Sequence, residues 1–187
     1  MKSLIIIYTI IITLMFVTTV KAEQKLKMGV GYVYGTPFTA SAYSRTHKHY
    51  VHRALVILDK NITKHIAISS EFMFARHTSK PKRSNERKIH GNELGINFVG
   101  RYFILNSTIK PYAGILVGGS WNMDKPQPDF DNSGALGTFG GVCGFRINKR
   151  SYQIDLEYRI THTSDPFNTG DIGRNFHGPQ ISLTYSF

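Results

Sequence analysis

Hydrophobic residues recur at every second position along much of this chain. Leu26, Met28, Val30, Tyr32 and Tyr34 share one face of an extended segment. Ile66, Ile68, Phe72 and Phe74 share a face of another, with Ala67, Ser69 and Glu71 opposite. Leu94, Ile96, Phe98, Tyr102 and Ile104 oppose Glu93, Asn97 and Arg101. The cleanest case sets Tyr152, Ile154, Leu156, Tyr158 and Ile160 against Gln153, Asp155, Glu157 and Arg159. The last alternates Ile181, Leu183, Tyr185 and Phe187 with Ser182, Thr184 and Ser186. A period of two is the signature of strands that differ between their faces. Segments at about 50–58, 109–121 and 135–147 alternate less cleanly, and with them the pattern predicts eight strands. Glycines at 118, 119, 140, 141 and 144 suit close backbone approach in a small barrel.

The connections alternate in length. Short polar turns are predicted at 59–61, 106–108 and 148–150, and long polar loops at about 35–49, 77–92, 122–134 and 163–179. Short turns at one end and long loops at the other is the pattern of outer-membrane barrels. The fold class expected is therefore all-β, an eight-stranded antiparallel transmembrane β-barrel of the outer membrane. In that fold Glu71, Glu157 and Arg159 point inward and the apolar faces meet lipid. A soluble lipocalin-like barrel would invert every face, and parity alone does not separate the two. Two further features favour the membrane version. The chain ends on aromatic Phe187 after alternating apolar residues, like the terminal strand of outer-membrane proteins. It begins with Lys2, an apolar run from Leu4 to Val17 and the exit Val20-Lys21-Ala22, the layout of a secretory signal peptide. Residues 1–22 are thus expected to be a cleaved signal and 23–187 a single barrel domain. The apolar run is shorter than the roughly 20 residues a spanning helix needs.

Composition narrows the function. A single cysteine, Cys143, excludes a domain stapled by internal disulfides. The formal charge is +11, of which Lys2 and Lys21 leave with the signal. A basic exported protein suits anionic partners, and lipopolysaccharide phosphates fit better than nucleic acid. Arg76, Lys80, Lys82, Arg83, Arg87 and Lys88 gather in one outer loop, opposed by Glu86 alone. They are candidate contacts for lipid A phosphates and core sugars, the alternative being a solvated loop. His47, His49 and His52 lie close in sequence, but no carboxylate spacing completes a ligand set, so neither a metal nor a cofactor is expected.

The candidate chemistry lies where the seventh strand enters the last loop, at Tyr158-Arg159-Ile160-Thr161-His162-Thr163-Ser164-Asp165. Residues two apart on a strand share a face, so an imidazole and a hydroxyl can approach there. A histidine beside a serine can act as its general base. Even parity puts His162 and Ser164 on the outward face, where a lipid could reach them. The same tripeptide recurs as His77-Thr78-Ser79, so the triplet alone is a weak pattern and Ser79 is a second candidate nucleophile.

The segment from about Pro111 to Phe187 resembles the lipid A 3-O-deacylase family, the acyloxyacyl hydrolases. The resemblance rests on Pro111-Tyr112, the run Phe139-Gly140-Gly141-Val142-Cys143-Gly144-Phe145, and Glu157-Tyr158-Arg159 leading into His162-x-Ser164. A loop of similar length and a short final strand follow. The first half is similar mainly in strand layout. The resemblance implies an eight-stranded outer-membrane barrel that hydrolyses the 3-position acyl ester of lipid A on its lipid-facing wall. It implies Ser164 as nucleophile and His162 as general base. With one residue inserted in the loop, the position of the family's acid falls on Asn175. An amide can orient the imidazole but cannot stabilise it by charge. The family favours asparagine after the serine, where this chain has Asp165, and a proline-containing turn where it has 168–173. Asp171 does not match the acid cleanly. The implied oxyanion hole uses backbone amides after the serine, at Asp165, with Asn168 as a side-chain donor.

The expected partners are lipid A or lipopolysaccharide and the surrounding outer-membrane lipids. Monomer and homodimer are both left open. The alternative function is a non-catalytic barrel, a structural protein or adhesin. A small porin is disfavoured, because side chains fill an eight-stranded interior.

Overall fold

The computed structural model describes residues 25–37, 47–81, 89–123, 135–164 and 174–187. The expected signal peptide lies outside them. The described chain forms β1 (Lys27–Pro37), β2 (His47–Asn61), β3 (Ile66–Pro81), β4 (Ile89–Phe103), β5 (Ile109–Asn122), β6 (Ala135–Lys149), β7 (Tyr152–Ser164) and β8 (Arg174–Ser186). Each strand pairs antiparallel with the next, and β8 closes onto β1 from Lys27↔Ser186 to Pro37↔Phe176. Closure leaves no unpaired edge, which is what a sheet in hydrocarbon requires.

Side-chain direction separates the two barrels that parity allowed. Val30 is 62% exposed, Phe139 59% and Ile115 69%, whereas Glu71 is 0% exposed and Arg101 and Arg159 are 2%. A wall with apolar side chains outside and charges inside suits a lipid solvent, and a soluble lipocalin-like barrel would be the reverse. Aromatics gather near both rims of this band. Tyr102, Tyr152, Tyr185 and Phe187 lie toward the short-turn end, and Trp121 and Phe139 toward the long-loop end.

The strands run further out than the hydrophobic pattern predicts. β3 reaches Pro81 and β4 begins at Ile89, inside the loop expected at 77–92; β8 begins at Arg174, inside that expected at 163–179. Past the apolar band the side chains turn polar, so alternation fades, but the backbone ladder continues. At the other end, the turn expected at 59–61 lies at 62–65. Thr63 Oγ1 caps it, accepting from the backbone amides of His65 and Ile66 at 3.1 and 3.0 Å. Asp59 points inward instead, to Arg146. The last tight turn is Arg150-Ser151 rather than 148–150, and Arg150 adopts a φ of 53°. The left-handed region costs a non-glycine residue about 1 kcal/mol or more. Arg150→Gly is therefore expected to stabilise the barrel by about 1 kcal/mol in urea titrations of the refolded protein.

Side chains fill the interior in layers. One apolar cluster holds Val33, Val51, Leu55, Ile57, Met73, Ala75 and Phe176; another holds Ala67, Val99, Phe103, Tyr112, Leu116 and Val142. Ionic layers also bridge the lumen. Arg159 donates to both oxygens of Glu71 at 2.6 Å and also to Glu157. Arg101 donates to Glu157 at 2.9 Å, to Ser69 at 2.6 Å and to Glu71 at 3.3 Å. Tyr112 donates to Glu157 at 2.9 Å. Nearer the short turns, Arg146 grips Asp155 and Asp59 at 2.7–3.2 Å. Each carboxylate meets more than one donor, the condition under which buried charge is tolerated.

Candidate active site on the outer wall

The outer ends of β6, β7 and β8 set the candidate site. Strand pairing places Phe139 opposite His162, and His162 opposite Asn175. Thr163 points into the lumen, where its hydroxyl meets Thr138 at 3.1 Å. Its neighbours His162 and Ser164 therefore face outward, as the parity argument required. Ser164 pairs with Gly137, so no side chain stands beside it on β6.

His162 Nδ1 lies 2.9 Å from Asn175 Oδ1. A carbonyl oxygen only accepts, so Nδ1 donates this bond, and in the neutral ring Nε2 is the nitrogen left with a lone pair. That tautomer is the one a general base needs. The Phe139 ring packs on the imidazole with centroids 4.9 Å apart. The strand ladder thus supplies a held, outward-facing imidazole with Ser164 two residues along the same wall.

The other sequence candidates fare differently. Asp165, Asn168 and Asp171 lie outside the described residues, as do Lys82, Arg83, Arg87 and Lys88. Lys80 is exposed and pairs across the ladder with exposed Lys48, a cation that the loop-centred reading missed. Ser79 is corrected as a nucleophile: it is 0% exposed. Its neighbour His77 holds Glu93 at 2.7 Å inside the barrel. Odd positions of β3 face inward whereas even positions of β7 face outward, so one tripeptide sits on opposite sides of the wall. Parity also splits the histidine cluster. His52 faces outward against Tyr32, Tyr34 and Tyr50, while His49 falls on the inward parity of β2. The side chain of His47 lies outside the described residues.

One polar cluster escaped the sequence reading. His177 Nε2 lies 3.3 Å from Thr36 Oγ1, and its Nδ1 meets the hydroxyl of Tyr158. All three face outward on β8, β1 and β7. The alternation ending at Ile181 extends back through Pro179 to His177 and Asn175, and would have placed them there.

No protein-family model matches the chain, and no curated protein does. Solved structures match its fold. The outer membrane protein OprG from Pseudomonas aeruginosa is 14% identical, over 89% of this chain and 98% of that one, with a TM-score of 0.54. Neisserial surface protein A is also 14% identical, over 88% of this chain and 97% of that one, with a TM-score of 0.50. At such identity the likeness is one of fold.

Proposed function

We propose that this protein is an outer-membrane hydrolase that removes the 3-position ester-linked acyl chain from lipid A by Ser/His acyl transfer. Its fold is that of small outer-membrane barrels. The observation that carries it is the His162–Asn175 hydrogen bond on the face that Ser164 shares. In this reading His162 Nε2 takes the Ser164 proton as Oγ attacks the acyl carbonyl. The tetrahedral intermediate collapses, the sugar oxygen leaves, and the imidazolium returns the proton to it. Water, activated by the same base, then releases the 3-hydroxy fatty acid from the serine. Lys80 and Lys48 would meet lipid A phosphates at the rim, each contributing about 1 kcal/mol.

A second reading, a non-catalytic structural barrel or adhesin, draws on one feature: the partner of His162 is an amide. A carboxylate there would stabilise the imidazolium that forms in the transition state. Asn175→Asp is accordingly expected to raise the deacylation rate roughly tenfold or more, measured as initial release of 3-hydroxy fatty acid. Incubating lipid A with detergent-refolded protein tests the proposal by mass spectrometry. Loss of one 3-hydroxyacyl mass is expected. Unchanged lipid A with both the wild type and Asn175→Asp, from protein shown to be folded, would leave the non-catalytic barrel.

A further inference from the structure

Tyr158, one member of the Thr36–His177–Tyr158 cluster, lines a groove on the outside of the barrel. The groove has a volume of about 630 Å³, and its lining includes Tyr32, Tyr34, Cys143, Phe145, Tyr158 and Ile181. It exists because small residues stand in a row of large ones. Cys143 and Pro179 lie opposite Tyr158 on its two neighbouring strands. The bulky Tyr34, Phe145 and Ile181 rise around them. Tyr158 belongs to both features, as a wall of the groove and as a partner of His177.

A neutral imidazole and two hydroxyls bring three protons to two internal hydrogen bonds. If Tyr158 donates to Nδ1, then Nε2–H donates to Thr36, whose own O–H is left over. If the chain runs the other way, the O–H of Tyr158 is left over. A protonated imidazole donates to both hydroxyls and leaves both their protons over. In every state the cluster has at least one O–H to donate outside itself, on the outward wall of the barrel. Such a donor is costly to leave unpaired. The acceptor that accompanies apolar chains in a bilayer is the ester carbonyl.

We infer that this groove is a lipid-binding site, separate from the His162–Ser164 site, that holds one acyl chain of a membrane phospholipid with its ester carbonyl on the Thr36–His177–Tyr158 cluster. The groove has the volume of a single small-ligand site, and a donor beside an apolar channel matches one acyl ester.

The test uses full-length barrel refolded into dioleoyl-phosphatidylethanolamine and -phosphatidylglycerol vesicles. Protein extracted in mild detergent is examined by native mass spectrometry. Wild type is expected to keep one phospholipid. Cys143→Phe, which fills the groove, and the Thr36→Val/Tyr158→Phe pair, which removes both hydroxyls, should each reduce that fraction at least about fivefold. Ile115→Phe, on the outward face of β5, and Ser164→Ala should leave it unchanged. Equal retention by wild type and Cys143→Phe overturns the inference, as do dimers that vanish in Cys143→Phe. In the vesicles themselves, a phospholipid with a diazirine acyl chain should crosslink mainly around Cys143, Tyr158 and Pro179. Labelling spread evenly around the apolar belt overturns the inference even if no lipid survives extraction. Because Ser164→Ala leaves this site intact, its outcome is independent of whether the barrel is a hydrolase.

Discussion

Replacing Ser164 with alanine is expected to leave a folded barrel that releases 3-hydroxy fatty acid from lipid A about 10⁴-fold more slowly, or not at all. Removing the nucleophile of a serine hydrolase typically costs about that much or more, because the remaining groups cannot form the acyl-enzyme. The fold should tolerate the change. Ser164 is the last residue of β7, it is half-buried, and it pairs with Gly137. Substitutions at such positions usually shift stability by no more than about 0.5 kcal/mol. Mass spectrometry of lipid A beside the wild type reads the result. Deacylation by both proteins would keep the enzyme and remove Ser164 from the mechanism. Ser79 could not then replace it without an inward route for lipid, since it is fully buried.

The site residues divide by how much of their role a linear pattern carries. Period-two alternation placed His162 and Ser164 on one face, and the strand end beside a long loop placed them near a rim. It could not say which face was outside, because a lipocalin-like barrel gives the same parity. The exposed Ile115 and Phe139 against the buried Arg101 and Glu71 resolve that question. The register that sets Asn175 opposite His162 depends on how many residues the intervening loop takes up, a count that strand pairing fixes. Outer strand ends were hidden for a different reason. Beyond the apolar band, hydrogen bonding continues while hydropathy stops alternating, so the outer ends of β3 and β4 read as loop. His177 was legible in principle, but a histidine between Gly178 and Phe176 breaks the apolar run that would have drawn attention to its face.

The ionic layers were legible only by half. Alternation showed that Glu71, Glu157, Arg101 and Arg159 point the same way as their strands' inward faces. It could not show who pairs with whom, since Glu71 and Arg159 are 88 residues apart and sit on strands that are not neighbours. Only closure of the sheet into a narrow barrel brings them across the lumen. The same closure accounts for the filled interior and for the difference from a wide, water-filled porin.

Breaking that cross-lumen layer carries the largest expected effect on folding. Glu71→Leu should destabilise the refolded barrel by about 3–5 kcal/mol, the usual cost of removing one partner from a buried ion pair. Glu71 receives both terminal nitrogens of Arg159 at 2.6 Å and one of Arg101 at 3.3 Å. Without it, Glu157 is the one carboxylate hydrogen-bonded to both buried guanidiniums among the described residues. The pair itself need not be strongly stabilising, because desolvation offsets much of its attraction. The double variant Glu71→Leu/Arg159→Met therefore discriminates. It removes one charge of each sign and leaves Arg101 on Glu157 and Ser69, with Tyr112 also donating to Glu157. Most of the lost stability should return, so the two changes should be strongly non-additive. Urea titration of each variant in lipid vesicles, followed by the fraction folded, measures the cycle. Additive losses would mean that Glu71 and Arg159 act separately and that the lumen lacks a closed charge network.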